Sequence, residues 1–233
     1  MTTILLTGAS RGIGAAAHAA LAGAGCTVIG QSTAGDNGLI AADFAQPRAA
    51  DALWAQALEQ AGGRIDVLVN NAGVFEAANI ADADAFADAW ARSLAINLQS
   101  AADLCRHAVL HFQQHGGGRI INVASRAGHR GDSPNHWHYA AAKGGMLAMT
   151  KSIARAYAGQ NILAFSITPG FTMTGMAEDY LASRGGDKLL ADIPLGRVAM
   201  PDEVAETIRW LATTAPASLT GATIDINGAS YVR

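Results

Sequence analysis

The sequence predicts an α/β protein, a Rossmann-type doubly wound parallel sheet in one domain spanning residues 1–233, and three observations carry that prediction. Short apolar runs of four to eight residues alternate with longer helical stretches along the whole chain. A glycine triplet, Gly8, Gly12 and Gly14, follows the first of those runs immediately. The composition is 50% hydrophobic with 26 glycines and only 15% charged residues, which suits two helical layers over a buried sheet.

In chain order, Ile4, Leu5 and Leu6 read as a buried strand, and the glycines let the backbone turn and start a helix over Ala15 to Ala24. That helix would aim its free N–H groups and positive dipole end at a pyrophosphate, making a dinucleotide cradle. Cys26–Gly30 and Leu39–Ala42 are the second and third strands. Their link is too short for the usual helical crossover, so it should be a bare loop or reduced turn, leaving the adenosine side open. A helix over 47–61 and a strand over Ile65–Asn70 follow, and Asn70-Asn71-Ala72-Gly73 then breaks the chain at the sheet's carboxyl edge.

Residues 82–115 read as one helical stretch in which Asn97, a poor helix former, asks for an explanation. Gly116-Gly117-Gly118 stops it before a strand over Arg119–Ala124, which ends at Ser125. A helix over His138–Ala158 and a strand over Ile162–Thr168 lead to Pro169-Gly170. The stretch 171–196 has the composition of a mobile flap, with Met173, Met176 and Tyr180 joining Trp137 and His136 in a partly apolar pocket. Pro201 opens a last helix and Ala222–Asn227 closes the sheet.

Tyr139 and Lys143 lie four residues apart and so share one helix face. Such a pair is either surface decoration or an acid/base device in which the ammonium stabilises the phenolate, with Ser125 hydrogen-bonding the same substrate oxygen. His107, His111 and His115 form a stripe that complements a helix end, while His129, His136 and His138 cluster before Tyr139, where they line or gate an entrance. Neither set has the thiolates or carboxylates of a metal site. A net charge of −3 gives no basic field for nucleic acid or an anionic membrane, and no apolar run approaches the roughly 18 residues of a membrane span. Cys26 and Cys105 are too few for a disulfide framework, so a cytoplasmic location is expected.

The motifs together resemble the single-domain branch of the short-chain dehydrogenase/reductase family. Thr7-Gly8-Ala9-Ser10-Arg11-Gly12-Ile13-Gly14 is similar to its T-G-x-x-x-G-x-G, Asn70 to Gly73 to its N-N-A-G, and Tyr139 to Lys143 to its Y-x-x-x-K. The resemblance implies a seven-stranded parallel sheet, Tyr139 as acid/base, Lys143 lowering its pKa and holding the nicotinamide ribose, Ser125 orienting a carbonyl, and Asn97 holding a water. It also implies that Pro169, Gly170, Thr172 and Thr174 meet the nicotinamide end and that Asp43 meets the adenine.

Ile193 to Arg197 through Asn227-Gly228 resembles the 3-oxoacyl-carrier-protein reductases. The two basic positions with which those enzymes grip their carrier align with Gly116 and Gln160, so a carrier protein is a doubtful partner. At the second strand's end, Gly30-Gln31-Ser32-Thr33 has no acidic residue to repel a 2′-phosphate. With Arg11 in the glycine loop and Ser32 and Thr33 as donors, that favours NADP, NAD staying possible. The expected reaction is hydride transfer between NADP(H) and a small ketone or secondary alcohol. The alternatives are a catalytically idle NAD(P)-binding sensor and an NAD-dependent alcohol dehydrogenase. Gly144-Gly145 in the catalytic helix suggests close helix packing, and the resemblance a homotetramer or homodimer interface there.

Overall fold

A computed structural model of the chain describes residues 1–174 and 186–233. Among the described residues seven strands, β1 (Thr3–Leu6), β2 (Thr27–Ser32), β3 (Ile40–Ala41), β4 (Val67–Asn70), β5 (Gly118–Val123), β6 (Ile162–Pro169) and β7 (Thr223–Ile226), form one sheet. Every pairing is parallel, in the order β3-β2-β1-β4-β5-β6-β7. The strand order reverses between β1 and β4, so a crevice opens at the carboxyl ends of those strands, where open α/β sheets bind ligands.

Among the described residues the helices are α1 (Gly12–Gly23), α2 (Ala49–Gln60), α3 (Ala83–Leu94), α4 (Ser100–Gln114), α5 (Ala127–Arg130), α6 (Trp137–Tyr157), α7 (Gly186–Ala191) and α8 (Pro201–Thr213). Side-chain alternation along the strands divides the core into two layers. Leu5, Leu68, Ile120 and Ala164 meet Leu53, Trp54, Leu104 and Phe112 of α2 and α4 on one face. Ile4, Val69, Ile121 and Phe165 meet Leu21 of α1 and Val204, Ile208 and Leu211 of α8 on the other. With both faces covered, the inner strands are apolar throughout, which is why they read as continuous runs.

Two elements, α1 and the stretch 82–115, depart from expectation, while the short link after β2 is the reduced turn expected. Helix α1 begins at Gly12 rather than Ala15, because the glycines form its first turn as well as the preceding loop. The link from β2 to β3 is a single 3₁₀ turn, Asp36–Gly38, and β3 pairs through only Gln31↔Ile40 and Ser32↔Ala41. The stretch 82–115 is two helices joined by a π-helical turn, Ala95–Gln99, with Asn97 buried inside it. Such turns recur at functional sites, and this one accounts for the asparagine.

Candidate active site

The glycine loop is tied to the ends of β2 and β4 by hydrogen bonds. Thr7 Oγ1 accepts from the amides of Asn71 at 2.9 Å and Ala72 at 3.0 Å, and Asn71 Nδ2 donates back to the Thr7 and Gly8 carbonyls at 3.0 and 3.1 Å. The two loops touch so closely that a Cβ on Gly14 would stand 1.9 Å from the Gly8 carbonyl oxygen. A Cβ on Gly8, whose φ is +66°, would stand 2.8 Å from Ala72 Cα, so only glycine fits either position. Ser10 and Arg11 are exposed at the lip, Ile13 is half-buried, and Thr174 lies over Gly12.

Gln31, which the sequence did not single out, is buried and bridges this loop to the sheet. Its Oε1 accepts from Gly8 N at 2.9 Å and its Nε2 donates to Ala42 O at 2.7 Å. The neighbouring Ser32 is not an outward-facing donor as expected. It is buried and its hydroxyl accepts from the Gly35 amide at 2.9 Å, which leaves Thr33 as the exposed hydroxyl at this strand end. Asp43 accepts from Ala45 N at 3.0 Å, the geometry of a strand-end turn.

Strand β5 delivers Ser125, and α6 presents Tyr139 and Lys143 beside it. The Ser125 hydroxyl accepts from the Ala127 amide at 3.1 Å and stands beside the phenol. Burial raises the Tyr139 pKa above its usual value, Ser125 opposes that rise, and the Asp132 charge adds to it. Lys143 is buried, donates to Val123 O at 2.8 Å, and is pushed down to about 8 by burial. Its ammonium stands 5.8 Å from the Tyr139 ring centroid, and Ser125 is the neighbour that opposes the upward shift of the phenol.

Asn97 Oδ1 accepts from Val74 N at 3.0 Å, and its Nδ2 donates to Val74 O and Ser93 Oγ, both at 3.0 Å. Both amide protons are thus engaged inside the chain, so the side chain positions the loop after β4. A Cβ on Gly73 would lie 2.7 Å from Asn97 Oδ1 and 3.5 Å from Lys143 Nζ, so this glycine brings that loop against the catalytic helix. On the far side, Gly170 N donates to Ile226 O, Arg126 N donates to Pro169 O, and buried Thr172 donates to Gly170 O at 3.3 Å.

The histidine stripe is structural. His107 pairs with Asp51 at 2.7 Å, His111 accepts from Ile65 N at 3.2 Å, and His115 stacks on His111. Of the second set, His136 stacks on Phe75 at 3.8 Å between centroids, Phe75 meets Tyr139 edge-on at 4.9 Å, and Trp137 is exposed, which puts two of the predicted pocket residues at the mouth. His129 instead stacks on Tyr231, and His138 is buried with neither ring nitrogen hydrogen-bonded among the described residues. Met176 and Tyr180 lie outside the described residues. Gly144 and Gly145 are explained within the chain: a Cβ on each would press on Gly128 O at 3.2 Å and Leu98 Cδ2 at 2.9 Å.

Comparison with known proteins gives the same outline. A family model described as enoyl-(acyl carrier protein) reductase matches residues 8–229. The chain is 34% identical to a 3-oxoacyl-[acyl-carrier-protein] reductase of Vibrio cholerae, covering 98% of this chain and 96% of that protein. It is 33% identical to a D-threitol dehydrogenase of Mycolicibacterium smegmatis, with 98% and 92% covered. A solved structure from Beutenbergia cavernae, described as an NAD(P)-dependent gluconate 5-dehydrogenase with NADP bound at low occupancy, superposes with a TM-score of 0.86 at 30% identity, over 97% of this chain and 95% of that one.

Proposed function

The chain belongs to the short-chain dehydrogenase/reductase family, and from that premise we propose that it interconverts a small ketone and a secondary alcohol with NADP(H), using Tyr139 to exchange the proton at oxygen. The observation that carries the reading is the gathering of Ser125, Tyr139 and buried Lys143, whose Nζ would lie 3.5 Å from a Cβ on Gly73 of the loop that packs against the glycine cradle. One domain over 1–233 performs both binding and chemistry.

The residues fit a dinucleotide. Gly8 and Gly14 let the glycine loop pack backbone against backbone, which fixes the amides at the start of α1 for a phosphate. Arg11, Ser10 and Thr33 are exposed where a 2′-phosphate would sit, with no carboxylate among residues 30–33 to repel it. Gly12, Ile13, Asn71, Ala72 and Gly73 line the cradle, while Pro169, Gly170, Thr172, Thr174 and Lys143 hold the nicotinamide side. Bound NADP(H) supplies or accepts the hydride. Tyr139 gives its phenolic proton to the carbonyl oxygen in reduction and takes it back in oxidation, and Ser125 holds that oxygen by a hydrogen bond that strengthens as charge develops. Phe75 and His136 form an apolar wall that excludes water beside the phenol.

The substrate is a free small molecule rather than a carrier-bound acyl group. Gly116 and Gln160 stand where a basic grip would be, and Gln160 accepts from Gln113 Nε2 at 2.9 Å. The relatives' names span an acyl-carrier ketone, a polyol and a sugar acid, whose shared feature is a carbonyl/alcohol pair. The assembly is a homodimer or homotetramer in the cytoplasm, which light scattering tests. A panel of ketones and alcohols, followed by nicotinamide absorbance, tests the activity. NADPH should show a lower KM than NADH; a clear NADH preference overturns the cofactor reading.

A further inference from the structure

Arg126 directly follows Ser125, and its side chain is only 12% exposed. Its guanidinium lies 5.7 Å from the Phe171 ring centroid, and its one side-chain hydrogen bond among the described residues is a long one, 3.4 Å, to Asp192 Oδ2. The same carboxylate oxygen is held better by Arg130, at 2.9 Å, and Arg130 also donates to Ser230 O at 2.8 Å. A guanidinium carries five N–H donors in a rigid fork, and burying it with one weak bond is costly unless something else completes the fork. Asp132 also contributes a negative charge to this surrounding, but its carboxylate accepts from Ser133 N at 2.7 Å and makes no hydrogen bond to Arg126.

Resting on the reductase reading above, we propose that Arg126 is a specificity-determining residue that binds a carboxylate on the substrate, so that the physiological ketone is an oxo-acid. A carboxylate already touches this guanidinium, in Asp192, which fixes the type of group the fork accepts. Arg130 keeps Asp192 when Arg126 turns its donors to the ligand, so the exchange leaves no acidic side chain unpaired. Arg126 N is bonded to Pro169 O, so the main chain from which the guanidinium extends is fixed between Ser125 and the strand end that borders the nicotinamide side. The two ends of one substrate, its carbonyl on Ser125 and Tyr139 and its acid on Arg126, would be held from adjacent residues.

The test compares short oxo-acids with their methyl amides as substrates of the wild-type enzyme with NADPH. The acid should be preferred about tenfold or more in kcat/KM, the scale of a charged hydrogen bond, and the preference should shrink with added salt. Arg126→Met should lower kcat/KM for the acid about tenfold more than for the amide, chiefly through KM, with Arg126→Lys recovering part of it. A non-reducible carboxylate of matched length should inhibit wild-type reduction of the neutral amide competitively against the ketone and not against NADPH, a measurement independent of any variant's folding. Equal use of acid and amide, or no competitive inhibition, overturns the carboxylate site while leaving the reductase reading intact. Failure to turn over either compound, with NADPH still bound, overturns the reductase reading and the site with it.

Discussion

The glycine loop and the catalytic wall meet at Gly73, yet they are held in different ways. In the loop the polar groups pair with one another: Thr7 with residues 71 and 72, Asn71 with residues 7 and 8, and Gln31 with Gly8 and Ala42. In the wall the titratable groups are buried with few partners. Among the described residues Lys143 Nζ has one carbonyl, the Tyr139 phenol has Ser125 beside it, and neither ring nitrogen of His138 has a partner. A loop whose amides and carbonyls are pinned is a rigid mould for a phosphate, and damage to it should appear in cofactor affinity and stability. A wall of under-partnered groups is held ready for a substrate, and damage to it should appear in turnover or pH dependence.

Three variants sharpen that contrast, from the largest effect down. Gly14→Ala forces a methyl group against the Gly8 carbonyl, 1.9 Å away, and neither backbone can yield. It should cost about 1–3 kcal/mol in urea unfolding and weaken NADPH binding about tenfold or more in a fluorescence titration; unchanged affinity would mean that the loop is softer than its contacts say. Gln31→Met keeps the volume but orphans Gly8 N and Ala42 O, for a loss of about 1–3 kcal/mol. NADPH Kd should rise with kcat little altered, and the reverse pattern would break the division between loop and wall.

The smallest effect is in pH dependence. Burial lowers the pKa of His138 and of His111 from 6.5, so the folded state binds fewer protons than the unfolded one just below that value. Stability is therefore complete above pH 6.5 and is lost as pH falls through the folded values. His138→Phe should flatten this acid limb in thermal melts, by at most about 1.4 kcal/mol per pH unit, while His111, His129 and His136, whose pKa values burial also lowers, keep the remainder. An unchanged slope would mean that His138 finds a partner on protonation.

Most of the fold was legible because its signals are local. Apolar runs buried on both faces mark the strands, and glycine clusters mark the turns. The errors fell where tertiary contact overrides local rules. Gly12 and Gly14 are poor helix formers that nonetheless form the first turn of α1, because close approach to the loop requires them. Asn97 lies in a π-turn that period-counting does not distinguish from an α-helix. In the site, Tyr139, Lys143 and Ser125 were legible as a spacing, and the structure gathers them. Gln31 was not, since a glutamine at a strand end has no signature until its two partners are seen. Ser32 was read outward because a hydroxyl's direction depends on the Gly35 turn. The electrostatics were invisible in sequence: the Tyr139–Lys143 spacing says that the residues are neighbours, and only the structure reveals that the amine is buried on Val123 O.

The most direct test of the account is Tyr139→Phe, which removes one hydroxyl from the wall and touches nothing in the loop. Turnover of the best ketone should fall by about 10²–10⁴-fold, the usual worth of a positioned proton donor, with NADPH Kd staying within about twofold of wild type. Substantial residual turnover, or cofactor binding lost in parallel with activity, would contradict the assignment of the proton to Tyr139.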